Sequence, residues 1–145
     1  MNASPNPLLQ QKHAKQYQEQ QIITASKEQL LVMLYDGAIR FAKIAKKSIV
    51  AKDYEKSNLF LLKTQRIIAE FMASLDLKSG NETTQQLFYL YEYLHHQLVQ
   101  ANVQRDTALV DDVLEHLIDL RQTWVTAIKI AKQETQDSSY PIQNA

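Results

Sequence analysis

The chain has 145 residues and a mass of 16.7 kDa, which is the size of one ordinary domain. Only 2 glycines and 3 prolines are present, too few for the turns of a sheet-rich fold, and the absence of cysteine excludes disulfides, thiolate metal sites and cysteine nucleophiles. The formal net charge of +0 argues against nucleic acid as a partner, because binding to a polyanion draws on an excess of clustered positive charge.

The first 25 residues predict a flexible arm, with a short extra helix as an option. Two early prolines and a glutamine-rich stretch give this segment little apolar surface to bury. The longest apolar run in the chain, residues 30–34, is far shorter than the ~18 residues that span a bilayer. We therefore expect neither an export signal nor insertion into a membrane.

Four helices are predicted next, from capping residues and breakers. Ser26 and Gln29 have the spacing of a capping box, and Asp53 and Asp106 are good N-caps for later helices. The predicted helices cover about 27–51, 54–74, 83–104 and 107–134. The predicted organisation is an arm over 1–25, a helical domain over 26–134 and a flexible tail over 135–145.

Apolar stripes on the third and fourth helices indicate a shared core. The fourth helix has apolar residues at spacings of three and four: Val110, Val113, Leu117, Leu120, Trp124, Ile128 and Ala131. Long helices with short connections pack antiparallel to their neighbours, so the prediction is an all-α, antiparallel four-helix bundle. Arg121 falls within this stripe, so it is expected to reach outward to solvent or to pair with Asp36 or Glu92.

The first predicted helix is apolar over roughly 260° of its circumference, more than one core requires. One interpretation is that it is the most central helix of the bundle. The other is that part of this surface forms an apolar groove for a partner helix. The sequence leaves both open.

Signals for catalysis and metal binding are weak. Glu92 and His95 have the Glu-x-x-His spacing of di-iron bundles, but a second copy and the further glutamates are missing. Asp112 and His116 fit an exposed i,i+4 pair. We therefore expect no enzyme activity and no cofactor, with a carboxylate metal bundle as the weaker alternative.

The densest basic run comprises Lys43, Lys46, Lys47, Lys52 and Lys56. A solvated face is the simpler interpretation, with a phosphate or an acidic partner as the alternative. Charge is also divided along the chain: residues 1–75 carry 11 Lys/Arg against 6 Asp/Glu, and residues 76–145 carry 5 against 10.

A series of short motifs resembles the flagellar export chaperones of the FliS family. The strongest is the segment LLVMLYDGA at residues 30–38. Others in the same order are Asn58, Gln65-x-Ile67-Ile68, Ser74-Leu75-Asp76, Leu87-x-x-Leu90-Tyr91-x-Tyr93, Leu98-x-x-Ala101-Asn102 and Thr123-Trp124. The resemblance covers about residues 14–130.

The resemblance implies a non-enzymatic chaperone of the bacterial cytosol. Such a chaperone binds the disordered C-terminal segment of flagellin, prevents premature polymerisation and aids delivery to the flagellar type III export apparatus. Its partners would be flagellin and an export gate protein, and an uncovered apolar stripe would also allow the free protein to form a homodimer. A helical-bundle adaptor for another client is the alternative function.

The expected site residues combine the resemblance with the second apolar stripe of the first helix. Tyr17 matches the family's tyrosine for docking to the export gate. The expected groove residues are Ile22, Ile23, Leu31, Tyr35, Ile39 and Ala42. This assignment predicts that Tyr35→Asp weakens client binding more than it unfolds the bundle, and that Leu117→Asp unfolds it.

Overall fold

The computed structural model describes residues 8, 10–13 and 26–139. Its long helices are α1 (Lys27–Val50), α2 (Tyr54–Ala73), α3 (Glu82–Gln104) and α4 (Thr107–Ser139), with a 3₁₀ turn at Leu77–Ser79. Residues 8 and 10–13 are also helical. By its contacts the chain divides into two compact units, and the boundary lies between Leu31 and Val32, inside α1.

The predicted helix starts are confirmed by the caps that the structure forms. At the start of α1, Gln29 N–H donates to Ser26 Oγ (3.2 Å) and Ser26 N–H donates to Gln29 Oε1 (3.1 Å), which is the expected capping box. Asp53 accepts from the Lys56 N–H, and Asp106 accepts from the Ala108 N–H. These bonds satisfy backbone donors that the first turn of a helix leaves without partners.

Side-chain contacts within residues 32–139 give the topology. Tyr35 and Phe41 of α1 contact Phe71 and Phe60 of α2 in reversed order, so these two helices run antiparallel. Phe71 of α2 contacts Tyr91 of α3, and Asn58 of α2 bonds Asn102 of α3. The order is again reversed, so α2 and α3 also run antiparallel.

The remaining contacts close the ring of helices. Tyr93 and Gln97 of α3 both bond Asp112 of α4, and α4 returns to α1 through an ion pair of Lys46 Nζ with Asp111 Oδ1 at 2.7 Å. A second pair, Arg121 with Asp36, lies about three turns away in the antiparallel sense. The predicted antiparallel four-helix bundle is confirmed, and Asp36 rather than Glu92 is the partner of Arg121.

The centre of the bundle is an aromatic cluster. Tyr35 stacks on Phe71 with ring centroids 4.4 Å apart, and Phe71 contacts Tyr91 at 5.3 Å. The hydroxyls of Tyr35 and Tyr91 share a hydrogen bond of 2.5 Å, which satisfies two buried polar groups with each other. Burial raises the pKa of both tyrosines above the ordinary value, so both hydroxyls are neutral at physiological pH.

The stripe predicted on α4 is core along only part of its length. Val110, Val113 and Leu117 are fully buried, whereas Trp124 is half-buried and Ala131 is exposed. Tyr93 of α3 contacts His116 of α4, and the two helices run antiparallel. Because α3 begins at Glu82, about eleven residues before Tyr93, its first residue lies level with the part of α4 about eleven residues after His116. The end of α4 therefore extends past α3.

The end of α4 also differs from the sequence prediction. The helix continues to Ser139 instead of ending near residue 134, so residues 135–139 are helical. No proline or glycine occurs between residues 107 and 139 to stop the helix earlier. Residues 140–145 lie outside the described part of the chain.

Gly37 is an interior residue of α1 whose replacement should stabilise the fold. A Cβ at this position would lie 3.6 Å from Ile67 Cδ1, an ordinary van der Waals distance. Because glycine costs up to about 1 kcal/mol relative to alanine inside a helix, Gly37→Ala should raise the free energy of unfolding by up to that amount. Urea denaturation followed by circular dichroism checks this, and a lower midpoint at unchanged slope would contradict it.

Candidate functional site

A cluster of exposed apolar side chains lies along the seam between α2 and α3. Leu59 is 49% exposed, Leu62 is 40% exposed and Val103 is 73% exposed. Val99, one turn before Val103, is partly exposed. We call these four residues the α2–α3 apolar face. Exposed aliphatic side chains grouped in this way typically mark an interaction surface.

A hydrogen bond between two asparagines sets the position of this face. Asn102 Nδ2 donates to Asn58 Oδ1 at 2.6 Å, which fixes the level at which the antiparallel helices meet. Leu59 and Val103 directly follow these asparagines, so both lie near that level. Leu62 follows Leu59 by about one turn of α2, and Val99 precedes Val103 by about one turn of α3. Because the two helices run antiparallel, both steps lead in the same direction along the bundle. From these shared levels we infer that the four side chains form one strip across the two helices.

The strip has a polar margin at the start of α2. Here Leu59 and Leu62 line a shallow groove together with Asp53, Glu55, Lys56 and Asn58. An apolar centre bordered by polar and charged groups is the usual composition of a protein-binding surface. The geometry suits a helix or extended segment that inserts apolar side chains along the seam.

The same end of the bundle is held by further contacts. The Arg105 guanidinium lies over the Tyr54 ring, 3.8 Å from its centroid, and joins the end of α3 to the start of α2. Arg105 ends α3 in a left-handed conformation, and its N–H donates to the Ala101 carbonyl. The apolar face therefore sits on two helices whose relative position is fixed.

Two of the predicted groove residues are core residues. Tyr35 and Ala42 are both 0% exposed. Tyr35 lies within the aromatic cluster, and Ala42 lies on the buried stripe of α1 with Ala38 and Ala45. Because a fully buried side chain offers no surface to a client, the assignment of Tyr35 and Ala42 to an exposed groove is wrong for this fold.

Of the other predicted site residues, two are partly exposed on α1 and three lie outside the described part of the chain. Ile39 and Leu31 are partly exposed on α1, so both still present surface. Ile22, Ile23 and Tyr17 lie outside the described residues, and their predicted roles stay predictions.

A polar cluster joins α3 and α4 on the outside of the bundle. Tyr93 Oη donates to Asp112 Oδ2 at 2.6 Å, and Gln97 Nε2 donates to the same oxygen at 3.0 Å. These two hydrogen bonds lower the pKa of the Asp112 carboxyl, while the bond to Asp112 raises the pKa of Tyr93. His116 Nδ1 lies 3.6 Å from Asp112 Oδ1, so the predicted i,i+4 pair forms. The cluster therefore links α3 to α4 through side-chain hydrogen bonds.

The described residues contain neither a group of three potential metal ligands nor a helix that could span a membrane. Within residues 8, 10–13 and 26–139, no three His, Asp or Glu side chains are grouped so that they would hold a metal ion, and Glu92 and His95 form no such group with a third residue. None of the helices in that part of the chain is long and apolar enough to cross a bilayer.

The α2–α3 apolar face was not predicted from the sequence, although it leaves a signal there. Leu59 and Leu62 are offset from the core positions Leu61 and Ile68, so α2 has apolar residues on two sides. Val99 and Val103 repeat this pattern on α3 with a spacing of four. The second apolar row on each helix is a local signal for a further surface, but only the packing of α2 against α3 brings the two rows to the same level.

A family model and individual relatives point to the same protein family. The family model "Flagellar protein FliS" matches residues 10–131. The flagellar secretion chaperone FliS of Bacillus subtilis (strain 168) is 32% identical over 122 residues, which cover 84% of this chain and 90% of that protein. The protein of the same name from Escherichia coli (strain K12) is 31% identical over 107 residues, covering 73% of this chain and 79% of the relative.

A solved structure shares the fold. The crystal structure of a flagellar chaperone from bacteria superposes with a TM-score of 0.66 at 19% sequence identity, and the match covers 83% of this chain and 98% of that one. With a family model that matches most of the chain and relatives above 30% identity, the chain belongs to the FliS family of flagellar proteins.

Proposed function

We propose that this protein is a cytosolic export chaperone that binds the disordered C-terminal segment of flagellin. It would prevent premature polymerisation and aid delivery to the flagellar type III export apparatus. The observation that carries the proposal is the α2–α3 apolar face, where Leu59, Leu62 and Val103 are exposed on two adjacent helices. The names of its relatives, flagellar secretion chaperones, support the export chaperone part of this proposal.

The binding energy in this proposal comes from burial of apolar surface. A disordered client folds into a helix on the strip and covers Leu59, Leu62, Val99 and Val103. Fully burying one such side chain contributes about 1.5–3 kcal/mol, and part of this gain offsets the entropy lost when the client becomes ordered. No covalent step is involved, so the chaperone needs no catalytic residue and no cofactor.

Further contacts are part of the proposal. Ile39 and Leu31 remain candidate client contacts because their side chains are partly exposed. Ile22 and Ile23 remain candidates from the sequence, with Tyr17 as the residue that docks to the export gate protein. In the absence of client, the α2–α3 apolar face would be available to a second copy of the chain, giving a homodimer.

Gel filtration of the purified protein with flagellin tests the proposal. We expect a 1:1 complex with full-length flagellin and none with flagellin that lacks its C-terminal segment. The matched control is flagellin truncated at its N-terminus, which should still bind. Equal binding of the C-terminally truncated flagellin would contradict the proposal and would favour an adaptor for some other client.

A further inference from the structure

The outward face of α1 carries a row of positive charge. Arg40, Lys43 and Lys47 are exposed, and among the described residues none of them has a carboxylate within ion-pair distance. Lys46 differs, because it pairs with Asp111. The nearby acidic residue on α1, Asp36, is already bonded to Arg121. This face therefore has positive charge that the bundle itself does not neutralise.

Apolar side chains accompany the row. A shallow groove on α1 is lined by Ile39 and Ile44 together with Asp36, Arg40, Lys43 and Lys47. The three free cations occupy positions i, i+3 and i+7, so they follow one side of the helix over about 10 Å, or two turns. A partner helix that carries carboxylates at the same spacing would place each of them near a cation and its apolar side chains near the isoleucines.

Aromatic rings hold part of this surface in place. Phe41 of α1 and Phe60 of α2 are in contact, with centroids 5.7 Å apart. The Lys63 ammonium lies 4.8 Å from the Phe60 centroid and 5.4 Å from that of Phe41, and the Arg40 guanidinium lies 5.3 Å from Phe41. Cations held over rings keep their charge at a defined position. The two rings are also covered by these cations, so they are not free to stack on nucleic-acid bases.

We propose that this basic face, formed by Ile39, Arg40, Lys43, Ile44 and Lys47, docks an acidic amphipathic helix of a partner protein. Charge complementarity identifies the partner's chemistry, since an array of cations without internal partners favours a segment rich in Asp or Glu. The groove and its two isoleucines favour a protein segment over a membrane surface, which offers no shaped apolar ridge to fill a groove.

The basic face is separate from the α2–α3 apolar face. Phe60 of α2 contacts α1, whereas Asn58 of α2 bonds α3, so the two surfaces lie on different sides of α2. A client confined to the α2–α3 apolar face would therefore leave the basic face open, and Ile39 is the one residue that the basic face shares with the candidate client contacts. The inference does not depend on the identity of the client.

The test measures fluorescence anisotropy of a labelled synthetic helix with the full-length protein. The probe is a peptide of about 20 residues with Glu at each turn along one side and Leu beside it. We expect saturable 1:1 binding that weakens with added salt, because exposed charges are screened over about 8 Å at physiological ionic strength. The triple variant R40E/K43E/K47E should lower the affinity by about tenfold or more, since three exposed attractions become repulsions.

A matched control variant separates this surface from general charge. K78E/K129E/K132E makes the same change in net charge at three exposed lysines elsewhere on the chain, and its affinity should be close to wild type. The neutral variant R40Q/K43Q/K47Q, which removes the charge without adding any, should give an intermediate loss. Thermal unfolding of each variant should stay close to wild type, because the changed side chains are exposed and the Arg40–Phe41 contact, made by an exposed cation, contributes little to stability.

Three results would overturn the proposal. One is an equal loss of affinity in the two charge-reversal triple variants. Another is equal binding by a peptide of the same composition whose Glu residues are scattered around the helix. The third is absence of peptide binding together with binding of wild type, but not of R40E/K43E/K47E, to vesicles that contain anionic lipid, which would assign the face to a membrane surface.

Discussion

Replacing Tyr35 with alanine is expected to lower the free energy of unfolding by about 4 kcal/mol, a large share of the stability of a domain of this size. The substitution removes a fully buried ring that stacks on Phe71 and leaves the Tyr91 hydroxyl without its hydrogen-bond partner. Urea denaturation at 25 °C measures the change. Tyr35→Asp should be at least as damaging, because it also places a carboxyl group in the core.

The milder Tyr35→Phe variant separates packing from hydrogen bonding. It keeps the ring and loses the bond to Tyr91, so we expect a loss of about 1 kcal/mol. Client binding by the folded fraction of either variant should remain near wild type. If Tyr35→Ala instead weakened client binding while the unfolding midpoint stayed unchanged, Tyr35 would belong to the binding surface after all.

The double substitution Leu59→Lys with Val103→Lys is expected to reduce affinity for the flagellin C-terminal segment by about 100-fold. Both side chains are largely exposed, so adding charge there should not disturb the core. In the proposed complex both become buried, and two charged groups would replace two apolar anchors at the centre of the interface. The measurement is titration of the client segment against each purified variant.

The matched control for this prediction is Leu77→Lys with Ile130→Lys. These side chains are also exposed, at 42% and 51%, and neither belongs to the α2–α3 apolar face. The control double variant should bind the client as wild type does. Equal loss in both double variants would show that general charge, rather than the apolar face, controls the interaction.

Much of the fold was predictable because its signals are local. The capping box of Ser26 and Gln29, and the caps at Asp53 and Asp106, depend on side chains within three residues of the backbone groups that they bind. Helix starts predicted from these residues therefore agree with the structure. The end of α4 was missed because no stop signal occurs in that region, and a polar composition alone does not end a helix.

The candidate site was less predictable because it depends on how helices face one another. The periodicity of α1 shows that its apolar arc is wide, but not which part of the arc meets the rest of the bundle. Tyr35 and Ala42 fell on the buried side, since Tyr35 reaches Tyr91 on α3. The hydrogen bond between Asn58 and Asn102, which are 44 residues apart, places Leu59 and Val103 at the same height along the bundle. No local pattern contains that information.

The central claim is that a disordered client folds onto an apolar surface of this bundle. Isothermal titration of the protein with a peptide of about 40 to 50 residues from the C-terminus of the same organism's flagellin, at several temperatures, tests it most directly. We expect 1:1 binding with a strongly negative heat-capacity change, and loss of this binding in the Leu59→Lys, Val103→Lys double variant. Absence of binding heat at every temperature, together with an unchanged elution volume on gel filtration, would contradict it.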